Sequence, residues 1–297
     1  MTPIRMLGRL AGGMLVATAL ASAGVVLHGW SLIERNQDRR VPDFHAATDT
    51  ASLTRGRHLV EIACAGCHSP TFAPPLTGSI SNFLVLDSTK TIGTLWAPNL
   101  TPGGVLARAS DGHLARAIRE GIGSDGRVLL VMPSSFFHVM PDSDLAAVIG
   151  YLRSQPAVDR VVPTRRLGLT PYVILGMHQF PTSVQPAVTS PVPRITEAPT
   201  ARYGEYLASL AACGDCHGPK LLGNPDNRPG PHGPPIGRTA ATVDFATFDR
   251  AMRGGVSFTG RPLDPAQMPF GEFRRFTDLE ARAIYEYVHT RSRPGPR

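Results

Sequence analysis

The chain has 297 residues, of which 42% are hydrophobic and 18% are charged, an ordinary globular composition with enough apolar residues for a buried core. Its length predicts about two domains of roughly 100–150 residues each. The formal net charge of +7 is not accompanied by clusters of basic and aromatic residues, so the sequence argues against a nucleic-acid partner.

The N-terminal segment has the features of a membrane-spanning signal-anchor. Arg5 and Arg9 precede an uncharged stretch from Leu10 to Leu27, and Trp30 follows where an interfacial aromatic residue would lie. A helix of that length rises about 27 Å, close to the ~30 Å hydrocarbon core of a bilayer. Because positive charge precedes the stretch, we expect residues 1–30 to cross the inner (plasma) membrane once and to place the following domains in the periplasm.

A cleaved signal peptide is the main alternative to the anchor. Ala21-Ser22-Ala23 fits the small-x-small cleavage pattern, although cleavage there would leave the apolar run Gly24-Val25-Val26-Leu27 as the new N-terminus. A core helix of a cytoplasmic protein is a third interpretation. The anchor and the signal peptide both export the same domains, and the anchor is our prediction.

The rest of the chain divides into two helical modules. Residues 31–50 are polar and predict a tether, and residues 51–156 predict the first module. Residues 157–199 are rich in proline and predict an extended connector that lies against both domains. Its apolar segment 167–177 is too short to span a bilayer and is expected to pack on a domain surface. Residues 200–290 predict the second module, and 291–297 an exposed tail.

The two modules form an internal repeat. Each opens with a helix that carries a glycine before a pair of cysteines, and each closes with an amphipathic helix entered through an acidic residue, Asp144 or Asp278. Between them, the same features follow in the same order: Gly121 with Gly255, Gly126-Arg127 with Gly260-Arg261, Met132-Pro133 with Met268-Pro269, and Phe137 with Phe273. Such an ordered match is hard to produce by chance, so the sequence predicts one design used twice.

Each module contains the motif Cys-x-x-Cys-His, as Cys64-Ala65-Gly66-Cys67-His68 and Cys213-Gly214-Asp215-Cys216-His217. Two thiols three residues apart can form thioethers with the two vinyl groups on one edge of a porphyrin, and the following histidine can then bind the iron. We therefore predict two covalently bound haems c, with His68 and His217 as axial ligands. A zinc ribbon would place its cysteine pairs far closer together, and a thioredoxin-like pair would not need the histidine twice.

Met132 and Met268 are the predicted sixth ligands of the two irons. Each precedes a proline, follows a glycine-rich loop and precedes the last helix of its module by a similar interval. A thioether is a soft ligand that raises the reduction potential relative to a second histidine. An isolated methionine is by default a core residue, but the matched positions favour ligation.

Other candidates for the sixth ligand stay open. Met140 also precedes a proline, but it stands only four residues before Asp144. Met132 stands twelve residues before Asp144, and Met268 stands ten before Asp278. The histidines that could instead give bis-histidine ligation are His113, His138 and His232. Each of them is otherwise expected to be a surface or hydrogen-bonded residue.

Both modules resemble class I cytochrome c domains. From about Ala51 onward the chain is similar to the dihaem cytochrome c subunits of proteobacterial periplasmic and membrane-bound dehydrogenases, with the segment Ala97-Pro98-Asn99-Leu100-Thr101-Pro102 as a specific point of similarity. The resemblance implies an all-α fold of two tandem haem-wrapping domains behind an N-terminal transmembrane helix. It also implies that Asn99 lines a haem crevice. The second module has no clear counterpart of this segment.

The combined features predict an electron carrier with no catalytic residues of its own. Electrons would enter from a donor dehydrogenase, pass between the haems and leave to an acceptor cytochrome or oxidase of the respiratory chain. The alternative is a dihaem redox enzyme, such as a peroxidase, which needs one haem with an open coordination position. Candidate methionine ligands in both modules argue against an open position.

Overall fold

The computed structural model describes residues 3–87, 90–178, 183–224 and 232–291. The fold is mostly helical, with 48% helix and 3% strand, which confirms the expected helical class. The helices are α1 (Pro3–Ile33), α2 (Thr50–Ala63), α3 (Ala65–His68), α4 (Asp111–Glu120), α5 (Ser134–Phe137), α6 (Asp142–Ser154), α7 (Leu169–Gly176), α8 (Ala201–Leu210), α9 (Cys213–His217), α10 (Ile236–Thr239), α11 (Phe245–Met252), α12 (Phe270–Phe273) and α13 (Asp278–Thr290). Except for Arg291, the predicted tail lies outside the described residues.

Among the described residues, four short strands that the sequence did not predict form two antiparallel pairs. Strand β1 (Val85–Asp87) pairs with β2 (Lys90–Thr91), and β3 (Gly93–Thr94) pairs with β4 (Arg166–Leu167). The second pair connects the first half of the chain to the proline-rich connector, because β4 lies within the connector.

Among the described residues, one segment is long and apolar enough to cross a membrane, and it lies in helix α1. This segment, Leu10–Ile33, has 24 residues and a mean hydropathy of 2.0. No residue in its most apolar stretch is buried inside the protein. The helix continues past Leu27, where the uncharged stretch was expected to end, and it terminates with Ile33 fully buried.

Helix α7 packs against the C-terminal part of α1. A Cβ atom built at Gly29 would lie 1.8 Å from the carbonyl oxygen of Tyr172, and one built at Gly176 would lie 2.1 Å from that of Val25. Glycine is therefore required at both contacts for the two backbones to approach this closely. The first residues of segment 167–177 contact the first half, where Leu167 pairs with Gly93 and the N–H of Gly168 donates to the carbonyl of Ile92 over 3.0 Å, while α7 itself packs chiefly on α1.

In each half of the chain, the first and last helices cross through a glycine. Gly56 on α2 faces α6, where a Cβ atom would lie 2.0 Å from the carbonyl oxygen of Ala147. Gly204 on α8 faces α13, where a Cβ atom would lie 1.8 Å from the carbonyl oxygen of Ala283. The crossings explain why both halves carry a glycine shortly before the cysteines.

The turns between these helices also correspond in the two halves. Gly121 caps the end of α4, and Gly255 lies three residues after the end of α11, at φ angles of 72° and 73°. The next residues form the isolated bridges Ile122–Val128 and Val256–Pro262. The last helices, α6 and α13, each have 13 residues. Because α6 begins at Asp142 and not at Asp144, Met132 and Met268 both stand ten residues before their last helix.

Residues 34–49, which the sequence predicted as part of a tether, lie along the helices of the first half. The N–H of Gln37 donates to the carbonyl of Gly126 over 2.8 Å, and the N–H of Ala47 donates to that of Ala146 over 3.0 Å. Phe44 and Ala46 pack against the hydrophobic core. This segment is therefore an integral part of the first half.

The two halves meet at a polar cluster formed by Arg55, His58, Asp144, Tyr203, Tyr206 and Glu280. The carboxylate of Glu280, on α13 and 3% exposed, accepts hydrogen bonds from the Tyr203 hydroxyl of its own half over 3.2 Å and from Nε2 of His58 of the other half over 2.8 Å. This carboxylate therefore links α13 to α2.

Asp144, on α6, has the complementary arrangement. It forms an ion pair with Arg55 of its own half over 3.1 Å and accepts a hydrogen bond from the Tyr206 hydroxyl of the other half over 2.7 Å. Arg55 also lies 3.4 Å from Glu280. Asp144 and Glu280 are both the third residue of their helices. The junction is therefore built symmetrically from equivalent positions.

Candidate functional site

The first cysteine pair lies on a single helical turn that follows α2. The N–H of Cys64 donates to the carbonyl of Val60 over 3.0 Å, and the N–H of His68 donates to the carbonyl of Cys64 over 2.9 Å. Cys64 is half-buried, Cys67 is exposed and His68 is buried. Because residues three apart share a helix face, both thiols are on the same side of this turn.

The imidazole of His68 is held by a backbone carbonyl. Its Nδ1 lies 3.0 Å from the carbonyl oxygen of Pro98, and since a carbonyl can only accept, Nδ1 carries the proton. Nε2 is then unprotonated in the neutral ring and can bind a metal. Burial lowers the pKa of His68, and the Pro98 hydrogen bond opposes this effect only in part. The lowered pKa keeps the ring neutral.

The second motif has the same arrangement. Nδ1 of His217 lies 2.8 Å from the carbonyl oxygen of Pro234, so this ring also directs an unprotonated Nε2 away from its hydrogen bond. Burial lowers the pKa of His217, and the Pro234 hydrogen bond opposes this effect. The N–H of Gly233 donates to the carbonyl of Cys216 over 2.7 Å, which ties the proline-rich loop to the cysteine turn.

A common loop follows each histidine. The N–H of Gly78 donates to the carbonyl of His68, and the N–H of Gly223 donates to that of His217, each over 2.8 Å. The leucines two residues before these glycines, Leu76 and Leu221, are both buried.

The proline loops pack on these leucines in the same manner. The carbonyl of Leu76 accepts from the N–H of Leu100, and that of Leu221 accepts from the N–H of Gly237, each over 2.8 Å. The segment around Pro234 is therefore the structural counterpart of the Pro98 segment, a correspondence that the sequence alone did not reveal.

The cysteine thiols are not activated. Burial, followed by the neighbouring cysteine, raises the pKa of Cys64 and of Cys213 to about 12. A redox-active Cys-x-x-Cys pair has a lowered pKa instead. In the described ranges, no group of three or more His, Cys, Asp or Glu side chains is placed to hold a metal ion.

The two predicted methionines lie on turns of the same geometry. The carbonyl of Met132 accepts from the N–H of Ser134, and that of Met268 accepts from the N–H of Phe270, each over 2.8 Å. The intervening prolines have φ and ψ of −83° and 59° in the first turn and −78° and 53° in the second. Both methionines are partly buried. Their role as ligands stays a prediction.

Met140 occupies a core position. It is 2% exposed, and its N–H donates to the carbonyl of Phe137 over 3.0 Å. Phe276, equally buried, makes the corresponding bond to Phe273 over 3.1 Å in the second half. The equivalence with a phenylalanine favours a packing role for Met140.

The alternative histidines have other surroundings. Nδ1 of His113 lies 2.7 Å from the hydroxyl of Ser110, with which it caps α4. Nδ1 of His138 donates to the carbonyl of Arg119 over 3.1 Å, and His232 is exposed. These contacts favour structural or surface roles.

Asn99 is 3% exposed and bonds to the chain itself. Its Nδ2 donates to the carbonyl of Val158 over 2.8 Å, and its Oδ1 accepts from the N–H of Thr101 over 2.9 Å. The side chain therefore fixes the loop whose neighbouring carbonyl, that of Pro98, holds His68. Its role in lining a haem crevice stays a prediction.

No protein-family model matches the chain. It is similar to one of the subunits of the nicotinate dehydrogenase of Pseudomonas putida, with 29% identity over 58% of this chain and 14% of the relative. It is also similar to the fructose dehydrogenase cytochrome subunit of Gluconobacter japonicus, with 28% identity over 38% of this chain and 26% of the relative.

The alignment with the cytochrome c subunit of the quinone-dependent alcohol dehydrogenase of Gluconacetobacter polyoxogenes has 26% identity and covers 64% of this chain and 40% of the relative. The chain thus spans less than half the length of each of these relatives. Two of the three are named as the cytochrome part of a dehydrogenase. The chain is therefore homologous to cytochrome subunits of dehydrogenases.

Proposed function

We propose that the chain is an electron-transfer cytochrome c that carries two covalently bound haems and accepts electrons from a dehydrogenase. The observation that carries the proposal is the duplicated histidine geometry. In each half, a buried neutral imidazole follows a cysteine pair and is held through Nδ1 by a proline carbonyl, which leaves Nε2 available for iron. This is the hydrogen bond that ligating histidines usually make with the surrounding protein.

Each half contains a complete set of candidate haem-binding residues. Cys64, Cys67, His68 and Met132 would hold the first haem, and the second set is Cys213, Cys216, His217 and Met268. The bound haem supplies a one-electron couple, and the chain sets its potential through the axial ligands and the burial of the site. The matched helix crossings and turns support two tandem cytochrome c domains, over residues 51–156 and 200–290.

The partners and the location follow from the relatives and from α1. The named relatives are dehydrogenase subunits, which supports a dehydrogenase as the electron donor. The acceptor would be a cytochrome or an oxidase of the respiratory chain. The membrane-length segment of α1 and the basic residues that precede it support a single span of the inner membrane with both haem domains in the periplasm.

Haem stoichiometry and spin state test the proposal. A pyridine haemochrome assay on the purified protein should give two haems c per chain. The ferric spectrum should show low-spin iron with the weak red absorption band of methionine ligation. One haem per chain would overturn the dihaem assignment. High-spin ferric iron in one half would favour the peroxidase-like alternative, which requires an open position.

The methionine ligands are tested by substitution. Met132→Ala and Met268→Ala should each lower one of the two midpoint potentials and leave the other within error, because each removes the thioether from a single iron. Redox titration followed by optical spectroscopy measures both potentials. Met140→Leu, which keeps the volume of a core side chain, is the matched control and should shift neither potential. An unchanged pair of potentials in either alanine variant would remove that methionine from the ligand set.

A further inference from the structure

Helix α7 has no role in the proposed haem sites. It comprises Leu169–Gly176, contains no charged residue and lies in the connector between the two halves. Its eight residues would rise about 12 Å, far less than a membrane span. Its chief contacts are with α1.

The two helices run antiparallel. The carbonyl of Tyr172 faces Gly29. Four residues later in α7, Gly176 faces the carbonyl of Val25, which lies four residues before Gly29 in α1. Helix α7 therefore starts near the C-terminal end of α1 and runs back along it. Close backbone approach through small residues is the usual way in which helices pack within a membrane.

This packing sets the depth of α7 relative to α1. Val25 lies eight residues before Ile33, where the membrane-length segment ends. At 1.5 Å per residue, that separation is about 12 Å, which is less than the ~15 Å half-thickness of the hydrocarbon core. If α1 spans the bilayer, Gly176 and its neighbours are carried into the outer half of it.

The outward surface of α7 suits that environment. Leu169 is 63% exposed and Met177 is 54% exposed, and the residues Val173 and Ile174 between them are partly exposed. The apolar surface is continuous with that of α1, where Leu27 is 64% exposed. A patch of this kind is unfavourable in water.

Two sets of polar contacts join the pair, one beside α7 and one at the end of α1. The rings of His28 and His178 contact each other edge to face, with their centroids 5.1 Å apart. At the end of α1, Glu34 pairs with Arg165 over 2.8 Å and accepts a hydrogen bond from the Tyr172 hydroxyl over 3.3 Å. These contacts lie at the haem-domain end of the pair, where Glu34 also pairs with Arg127 of the first half over 3.4 Å and Arg165 donates to the carbonyl of Val128 over 2.7 Å.

We propose that α7 is a second membrane-contacting element, which lies beside α1 in the outer half of the bilayer and presents Val173, Ile174 and Met177 to lipid acyl chains. The proposal rests on the single span of α1 included in the proposed function. The partner of this apolar surface is a lipid bilayer, because the surface is continuous with the exposed apolar surface of the membrane-length segment of α1.

Cysteine accessibility in the full-length holoprotein, reconstituted alone into phosphatidylcholine nanodiscs, tests the proposal. The variants are Met177→Cys, Leu20→Cys on the exposed surface of α1, and Val161→Cys, whose native residue is 89% exposed. A thiol in hydrocarbon does not ionise, so we expect a water-soluble maleimide to react with Met177→Cys and Leu20→Cys about tenfold or more slowly than with Val161→Cys. Unfolding in detergent should equalise all three, and the wild-type chain gives the background.

The outcomes separate this inference from the proposed function. Reaction of Met177→Cys at the rate of Val161→Cys, with Leu20→Cys protected, would overturn the inference and leave the anchored cytochrome intact. Reaction of Leu20→Cys, or its loss from the mature protein, would overturn both the span and the inference, while the haem count would be unaffected.

A photoactivatable phospholipid with a diazirine in its acyl chain gives a second measurement that reports lipid directly. Peptides from α1 and α7 should carry lipid adducts after irradiation, and the peptide that contains Val161 should carry none. Adducts on α1 without any on α7 would also overturn the inference, since protection of Met177→Cys would then come from protein contacts.

Discussion

Glu280 shows how a single carboxylate can be stabilised at the junction of the two halves. Burial by itself would raise its pKa, but hydrogen bonds from His58 and from the N–H of Thr277, together with the charges of His58 and Arg55, lower it below the usual value. A carboxyl group whose pKa is lower in the folded state stabilises the fold above its unfolded pKa. That contribution is lost as the pH falls through the folded pKa.

Glu280→Gln should therefore destabilise the protein at neutral pH, by about 1–3 kcal/mol, because a buried charged hydrogen-bond acceptor is removed. The difference from wild type should be smaller at an acidic pH below the lowered pKa of Glu280, where the native carboxyl is also protonated. Urea unfolding followed by circular dichroism at both pH values measures it. Glu286→Gln, an exposed position on the same helix, should have little effect. A difference that does not depend on pH would contradict the role of the charge.

For single residues, the sequence could predict which side chains form the candidate site, but not which backbone carbonyls hold them. The spacing of Cys64, Cys67 and His68 matches the geometry of covalent porphyrin attachment, so a sequence pattern can reveal these residues. The carbonyls of Pro98 and Pro234 act through atoms that every residue has, and the contacts join positions 30 and 17 residues from their histidines. No residue type marks such an acceptor.

Among the elements, the crossed helices of each half depend on a glycine. An alanine in the middle of a helix is normally about 1 kcal/mol more favourable than glycine. At Gly204, however, the added Cβ would lie 1.8 Å from a backbone oxygen of Ala283 that cannot move aside alone.

Gly204→Ala should consequently reduce the free energy of unfolding, by about 1–3 kcal/mol, as overpacking of a core usually does. Chemical unfolding of the holoprotein measures this change. Gly271→Ala, on α12 with open space around the added Cβ, is the control and should be neutral or slightly stabilising. If both variants behaved alike, the α8–α13 crossing would not depend on its glycine.

The connector shows where element prediction fails. Its many prolines indicate extended chain, and α7 has no amphipathic period because nearly all its residues are apolar. The helix owes its position to α1, more than 130 residues earlier in the chain, and a local pattern carries no signal of that contact. Helix α13, in contrast, was predictable because it has one buried face that repeats along the sequence. Helix α6 is buried at every position from Ala147 to Leu152, and it was predictable from its matching place in the repeat.

The molecule as a whole is held together across its two halves. One hydrophobic core cluster includes buried residues from both, among them Leu59 and Leu145 of the first half and Tyr206 and Ile284 of the second. The junction cluster adds charged contacts to this shared core. We expect the full-length protein to unfold in one transition, with loss of helix and change of Soret absorbance coinciding.

Arg55→Met should lower the midpoint of this transition, because Asp144 and Glu280 then lose the cation that lies between them. Arg57→Met, which removes only an exposed pair with Glu61 on the same helix, should cost less than about 1 kcal/mol. Thermal unfolding of both variants makes the comparison. Two separate transitions in the wild-type protein would show that the halves unfold independently.

The symmetric junction makes each half of the chain depend on the other. Each half supplies a hydroxyl or an imidazole to the carboxylate of the other: Tyr206 to Asp144, and His58 to Glu280. Either half produced alone would expose that carboxylate without its donor and uncover part of the shared core. Each half is therefore expected to be less stable on its own than it is in the full chain, because its carboxylate and part of its core rely on the other half.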